Sequence, residues 1–205
     1  MQQFIHDKQI PQIPIYVDSP MGVEVSKVYS EFRENYDQKT LDAIGKEDLF
    51  GLSLVTFASS VADSKKINTQ PGPCVIIASS PTCEFGRILH HLQLSTNRPN
   101  DVVVFVGYIP PNTLGRRLQS GQKHVRILDR WYDVKFQVRS LQGLSAHADV
   151  DELMRFLKPT LTKQTSAWVV HGEVDQAQPF AQRLTAAGIA RATLPAMDTS
   201  LDIPD

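Results

Sequence analysis

The sequence has little of what marks a secreted or membrane protein. Its 205 residues include only two cysteines, Cys74 and Cys83, which form neither a disulfide framework nor a CxxC metal pair, so reduced thiols are expected. No apolar run is long enough to span a bilayer, and the first residues lack the basic and then apolar pattern of a signal peptide. The sequence therefore predicts a cytoplasmic protein that makes no membrane contact.

The chain also lacks an excess of charge of either sign. It carries 21 Lys and Arg against 22 Asp and Glu, a formal net charge of -1. This balance argues against a protein that wraps nucleic acid through its overall positive charge. An anionic substrate must instead meet a small, focused site. The 41% hydrophobic content is enough for a real core.

Three common nucleotide and hydrolase motifs are missing. No GxGxxG turn and no GxxxxGK[ST] loop follows any predicted strand, which argues against a dinucleotide or P-loop enzyme. No GxSxG elbow occurs either, and the segment around Ser145 does not have its spacing. Internal repeats and low-complexity tracts are also absent.

What is present is a regular alternation of strands and helices over residues 1–120. Near-continuous apolar strands that alternate with helices are typical of a mainly parallel sheet with helices on both faces, so the fold class is α/β. After Pro20, apolar residues recur at helical spacing through Tyr36. The predicted strands are 13–19, 52–58, 74–78 and 102–106, and a further helix is predicted over 85–92.

The pattern changes near Gly121. Two apolar stretches separated only by Asp129 and Arg130 indicate an antiparallel hairpin, which starts a second architectural unit. Asp149 is an expected N-cap and Gly188 an expected helix end. The predicted elements are hairpin strands 124–128 and 131–141, helices 150–157 and 176–187, and strands 166–171 and 192–194.

Two histidines follow predicted strands in this second region. His147 lies in the segment LSAHAD and His171 in the segment VVHGE. Strand ends are where α/β proteins usually carry their chemistry. A single histidine is more often a structural residue than a catalytic one, so each motif is weak evidence until it is combined with its neighbours.

Combined, the motifs resemble the β-CASP branch of the metallo-β-lactamase superfamily, whose members are RNA-processing nucleases. In these proteins a β-CASP domain is inserted into a metallo-β-lactamase fold, which the chain afterwards completes. The resemblance implies a β-CASP domain over 1–120 and a partial metallo-β-lactamase αββα segment over 121–205. The segments that carry it, besides the two histidine motifs, are IYVDSPM (15–21), IIASS (76–80), GRILHHL (86–92), VGY (106–108) and TLGRRL (113–118).

The resemblance also implies roles for individual residues. His147 matches the general acid that protonates the leaving oxygen, and His171 matches a ligand of one of two zinc ions; imidazole suits both tasks. The RNA groove would contain Ser79, Ser80, Thr113, Arg116 and Arg117. Glu173 would orient a site histidine through a hydrogen bond. Each of these residues also has a structural interpretation. In it, Ser79 and Ser80 only close a turn, the arginines are solvated residues at the start of a helix, and Glu173 is a solvated residue.

One part of the family pattern is missing. Two-zinc members carry an HxHxDH cluster, which this sequence lacks, and neither His6, His90, His91 nor His124 has the spacing to replace it. The chain supplies one expected zinc ligand, so we expect no tightly bound zinc and no hydrolysis from it alone. The sequence is interpreted as the C-terminal half of a larger protein: a fragment, a truncated gene product or a split subunit.

Other interpretations remain open at this stage. The main alternative is a non-catalytic β-CASP-like protein that binds RNA or serves as a partner subunit; a third is an unrelated α/β module with structural histidines. Pro81 and Thr82 replace the usual Gly-Met, which removes a backbone donor, and Asn112 stands where a glycine-containing loop is usual. Without the missing half, apolar surface on the returning segment is expected to be exposed and to promote self-association.

Overall fold

A computed structural model describes residues 4–5, 7–44, 55–141 and 143–200. The chain divides into two compact units, residues 1–145 and 146–205. This division falls inside the segment 121–205 that the family resemblance assigns to the metallo-β-lactamase domain.

The first unit alternates strands and helices as the sequence predicts. Its elements are β1 (Ile15–Asp18), α1 (Pro20–Glu31), a 3-10 turn (Arg33–Asn35), α2 (Gln38–Ile44), β2 (Val55–Phe57), α3 (Val61–Ile67), β3 (Val75–Ala78), α4 (Ile88–Ser95), β4 (Val102–Phe105), α5 (Leu114–Gln119), β5 (His124–Ile127), β6 (Arg130–Asp133) and β7 (Gln137–Ser140). The predicted strand 52–58 is present as β2, while positions 52–54 lie outside the described residues.

Parallel pairing dominates this unit, as expected for the fold class. Strands β2, β1 and β3 form a three-stranded sheet in that order, and Ile15 lies opposite both Val55 and Val75. Strand β4 pairs in parallel with β7, and β5 pairs antiparallel with β6. Because all three strands of the first sheet run the same way, their C-terminal ends lie at one edge.

The main hydrophobic core lies under α4 and α5. Leu92 of α4 and Leu118 of α5 pack with buried residues of β4 and of the hairpin that β5 and β6 form. The fully buried members also include Ile109, Val125, Ile127 and Phe136. This core fixes the start of α5, where three of the predicted substrate-binding residues lie.

The hairpin prediction was wrong in one respect. The stretch 131–141, expected as one strand, is divided into β6 and β7, which join different sheets. Val134 and Phe136 are buried between them, and the Val134 amide donates to the Lys123 carbonyl (2.7 Å) while the Lys135 amide donates to the Thr96 carbonyl (2.8 Å). Burial of these alternate side chains turns the chain away from β5, so that β7 pairs with β4 instead. The alternation of apolar and polar residues in the sequence does not show this change of partner strand.

Helix α1 differs from its prediction in which face it buries. Ser19 caps it and Pro20 occupies its first turn, both typical of helix starts. Its one buried residue is Val23, whereas Val25 and Val28 are about half exposed. The apolar stripe that predicts this helix is therefore not covered by the described part of the first unit.

The second unit contains two helices and a two-stranded parallel sheet. Its elements are α6 (Val150–Leu157), a 3-10 turn (Lys158–Thr160), β8 (Ser166–Trp168), α7 (Val174–Ala186) and β9 (Arg191–Thr193), with β8 paired to β9. Asp149 and Glu152 form a capping box at the start of α6, which confirms the predicted N-cap. None of the described helices is long and apolar enough to cross a membrane.

Candidate functional site

Polar residues collect at the C-terminal edge of the three-stranded sheet. Asp18 and Ser19 follow from β1, Ser79 and Ser80 come directly after β3, and Ser59 lies two residues beyond β2. Because parallel strands end at the same edge of a sheet, the fold itself brings together the residues that follow them. This edge is therefore where the serine pair predicted to bind substrate meets other polar groups.

Asp18 lies at the centre of a buried hydrogen-bond network. Its side chain is fully buried, and its carboxylate accepts hydrogen bonds from Ser64 Oγ (2.5 Å), from His91 Nε2 (2.7 Å) and from the Arg87 guanidinium. His91 Nδ1 lies 3.0 Å from Asn68 Oδ1. Asp18 ends β1, Ser64 and Asn68 belong to α3 and its C-terminal cap, and Arg87 and His91 belong to the start of α4, so the network joins β1, α3 and α4.

The Arg87 guanidinium extends this network to the end of β2. It donates to the carbonyl oxygens of Ala58 (2.7 Å) and Ser59 (3.0 Å) as well as to Asp18. The Arg87 guanidinium therefore binds two carbonyl groups that follow β2 and also the carboxylate of Asp18, the last residue of β1. Arginine suits this task because its planar fork presents several donors at once.

The balance of forces on Asp18 keeps it ionised. Burial acts to raise the pKa of the Asp18 carboxyl, but hydrogen bonds from Ser64, Arg87 and His91, together with the charge of Arg87, outweigh that effect and lower it. A carboxylate held in this way does not donate a proton near neutral pH. Asp18 is therefore a structural anchor of the sheet edge, and its buried side chain offers no surface to a ligand.

The predicted serine pair is attached to this edge by hydroxyl contacts. Ser79 Oγ lies 2.9 Å from Ser19 Oγ, and Ser80 Oγ lies 2.8 Å from Thr82 Oγ1. The Thr82 amide donates to Ser80 Oγ at 3.3 Å. Ser79 is exposed and Ser80 is half buried, so the first of the two is the more accessible to a ligand.

Two glycines allow the segment after these serines to pack closely. Gly86 has φ +87°, and a Cβ there would lie 2.8 Å from the Ser79 carbonyl oxygen. Gly115 in α5 donates its amide to the Thr82 carbonyl (2.7 Å), and a Cβ there would lie 2.3 Å from the Pro81 carbonyl oxygen. The segment 79–86 is therefore locked against the first turn of α5.

Replacing Gly115 by alanine should destabilise the chain by about 1–3 kcal/mol, because the new methyl group would collide with backbone that cannot move cheaply. Urea unfolding followed by circular dichroism measures the change. Gly107→Ala is the matched control, since a Cβ at Gly107 would meet nothing within 4 Å. Equal stability of the two variants would contradict the close packing.

Thr113 and Arg117 already have partners at the start of α5. Thr113 is its N-cap; the hydroxyl accepts from the Arg116 amide (3.2 Å) and donates to the Pro110 carbonyl (2.8 Å). Arg117 lies 3.7 Å from the Glu84 carboxylate, which also accepts from the Leu114 amide. Glu84 therefore offsets part of the charge of Arg117.

Arg116 is differently placed. Its guanidinium carbon lies 5.7 Å from the centre of the exposed Tyr108 ring, and its Nη1 donates to Gln119 Oε1 at 3.4 Å. Its Nε is buried and has no hydrogen-bond partner among the described residues, and no described carboxylate forms an ion pair with it. Arg116 therefore keeps a positive charge that no described carboxylate offsets. Asn112, four residues earlier, has φ +63°, so it adopts the left-handed conformation that a glycine at this place in the loop would adopt.

Both candidate histidines lie in the second unit. His147 is exposed and precedes the Asp149 cap of α6 by two residues, and His171 is exposed in the turn between β8 and α7 with φ +63°. Glu173 is the N-cap residue of α7. Within the described ranges no three His, Cys, Asp or Glu side chains are arranged to hold a metal ion. These residues alone do not fit a zinc site.

The network around Asp18 was missed by sequence reasoning. Asp18 and His91 lie in separate sequence motifs, yet they are bonded across 73 positions. One signal was available: Arg87 and His91 are separated by four positions at the start of an apolar helix, so both project from one face.

Two family models match this chain. The Beta-Casp domain matches residues 1–118, and the Zn-dependent metallo-hydrolase RNA specificity domain matches residues 131–195. Together they cover most of the sequence in the order that the motifs predicted.

Curated relatives agree with these matches. Ribonuclease TTHA0252 of Thermus thermophilus is 33% identical over 90% of this chain, and the RNase J-like protein of Methanocaldococcus jannaschii is 24% identical over 90%. Transcription termination factor FttA of Methanothermobacter thermautotrophicus is 26% identical over 84% of this chain. The chain spans 42%, 41% and 28% of the lengths of these three proteins respectively. The chain belongs to the β-CASP family of the metallo-β-lactamase superfamily.

Proposed function

We propose that this chain is the RNA-holding portion of a zinc-dependent RNA-processing nuclease. The observation that carries the proposal is Arg116, a half-buried cation of α5 that has no carboxylate partner among the described residues. Such a group is suited to a phosphate oxygen, which accepts charge-assisted hydrogen bonds from guanidinium groups. The match to an RNA specificity domain and the ribonuclease relative support RNA as the source of that phosphate.

The binding residues proposed here are not equivalent. Arg116 supplies the main contact, and Ser79 adds an accessible hydroxyl at the sheet edge. Ser80 and Thr113 shape the surface, because their hydroxyl groups already bond to Thr82 and to the backbone around α5. Arg117 contributes least, since Glu84 offsets its charge.

The two histidines carry the proposed catalytic contribution. His147 would protonate the leaving oxygen as the P–O bond of the RNA backbone breaks, and His171 would supply one ligand to a zinc ion, with Glu173 orienting a site histidine. The described residues offer too few ligands for zinc, so the other ligands would come from a metallo-β-lactamase half. We propose that residues 121–205 complete that half and that the chain alone cuts no RNA.

A second candidate is a non-catalytic RNA-binding protein or partner subunit of the same family. The Arg116 surface supports it equally, because holding RNA does not require zinc. The two proposals differ in whether an assembly that contains this chain and a full set of zinc ligands cleaves RNA.

Arg116→Gln should weaken binding of a fluorescein-labelled single-stranded RNA about 10- to 100-fold, because it removes a charge-assisted contact. Fluorescence polarisation with the 205-residue chain measures this. Arg117→Gln is the matched control and should weaken binding less than about threefold, since its charge is already offset. Equal loss in both variants, or no RNA binding by the unaltered chain, would sink the proposal.

A further inference from the structure

A second cationic feature of the first unit lies beyond the end of α5. A shallow pocket of about 260 Å³ opens between the chain that leaves α5 and the segment that leads into β7. Its apolar floor includes Leu118, Val134 and Phe136, the last of which is fully buried. This floor belongs to the main core, so the pocket has a rigid base.

Three cations line this pocket: Lys123, Lys135 and Arg139. No Asp or Glu is among the described residues that line it. Lys123 and Lys135 form no ion pair in the described part of the chain, and the Arg139 guanidinium donates only to the Val138 carbonyl and to Gln137 Oε1, both at 3.0 Å. Three uncompensated positive charges around one pocket are notable in a chain of net charge -1.

The pocket adjoins the proposed RNA-binding residue. Gln119 lines the pocket and also accepts a hydrogen bond from Arg116 Nη1. The amide of the same Gln119 side chain donates to Ser140 Oγ (3.0 Å) at the end of β7, which fixes its position. An RNA strand bound at Arg116 would therefore have to pass only the side chain of Gln119 to reach the pocket.

We propose that this pocket binds a backbone phosphate of the same RNA strand, next to the phosphate held by Arg116. The proposal rests on the proposed function. Clustered lysine and arginine side chains without counter-ions attract phosphate, and an open pocket with amide groups on its wall accommodates the sugar beside it. The pocket thereby extends the proposed contact with RNA beyond Ser79 and Arg116. None of its three cations was among the substrate-binding residues predicted from the sequence.

The test compares the salt dependence of RNA binding. The triple variant K123Q/K135Q/R139Q removes the three charges from the full 205-residue chain. On single strands each neutralised phosphate contributes about 0.7 to the slope of log affinity against log salt, so loss of the one phosphate contact should make the slope shallower by about 0.7. Binding near 100 mM KCl should weaken about fivefold. Fluorescence polarisation between about 50 and 200 mM KCl gives both quantities.

Two variants control for other effects. K39Q/K65Q/R98Q removes three exposed cations of the same unit that lie outside the pocket, and it should leave the slope unchanged. K123R/K135R/R139K keeps all three charges and should retain the original slope. Circular dichroism melts of every variant check that each one is folded.

The outcomes separate this inference from the proposed function. If the unaltered chain binds RNA and Arg116→Gln weakens it, but the triple variant keeps the original slope, the pocket proposal alone fails. If inorganic phosphate at matched ionic strength stabilises the unaltered chain but not the triple variant, while the RNA slopes agree, the pocket takes free phosphate and the RNA proposal for it is wrong. Absence of RNA binding by the unaltered chain overturns both.

Discussion

Replacing Asp18 by alanine should lower the free energy of unfolding by about 3–5 kcal/mol, which is typical when one partner of a buried charge network is removed. The Arg87 guanidinium, only 16% exposed, would be left without its carboxylate, and His91 and Ser64 would lose an acceptor. The loss would fall on the sheet edge that positions Ser79. Urea unfolding at pH 7 measures the effect.

The control for Asp18 is another carboxylate that is paired but exposed. Asp133 lies 2.7 Å from His124 Nδ1 with 82% of its side chain exposed, so Asp133→Ala should change stability by less than about 1 kcal/mol. A loss of less than about 1 kcal/mol for Asp18→Ala as well would show that the buried network contributes little.

The pH dependence of the stability that the Asp18 carboxylate contributes has a defined sign. The pKa of Asp18 is lowered in the folded chain, so its stabilising contribution is fully present above the pKa of the unfolded chain, about 3.9, and is lost as pH falls through the lower folded value. The stability gap between the unaltered chain and Asp18→Asn should therefore be constant from about pH 5 upwards and shrink below about pH 4. A gap that grows on acidification would contradict the assignment.

Replacing His147 by alanine should reduce RNA cleavage about 10²- to 10⁴-fold in an assembly where this chain is joined by the metallo-β-lactamase half and loaded with zinc. The loss follows if His147 is the general acid that protonates the leaving oxygen. Zinc content should not change, because the proposed metal ligand is His171. Rates with an RNA of fixed sequence and metal analysis of the same sample separate the two effects.

His171→Asn is the companion variant for this experiment. Asparagine tolerates the left-handed backbone that His171 adopts at φ +63°, so the turn should be retained while the imidazole ligand is lost. Zinc content and cleavage should both fall. Preserved turnover with intact zinc in this variant would contradict the ligand role, and an unchanged rate in His147→Ala would contradict the acid role.

Local sequence patterns were sufficient for most elements of the fold. Asp149 predicted the start of α6 because a helix cap acts within a few residues, and the apolar runs predicted the parallel strands. The division of 131–141 between two sheets was not predictable in this way. It depends on Val134 and Phe136 entering a core made of distant segments.

The candidate site shows the same limit. Motif order was enough to assign the family and to select Arg116, but it gave Arg117 the same role. Only the fold shows that Glu84, 33 positions away from Arg117, offsets that charge. Asp18, Arg87 and His91 were similarly interpreted one at a time, and their network exists only once β1 and α4 are packed together.

The most direct test of the account is an electrophoretic shift of a labelled single-stranded RNA by the purified 205-residue chain, with and without added zinc. The account predicts shifted and uncut RNA in both lanes, since the proposed binding residues lie in the first unit and the chain supplies one expected zinc ligand. RNA that is cut when zinc is added, or RNA that is never shifted, would contradict it.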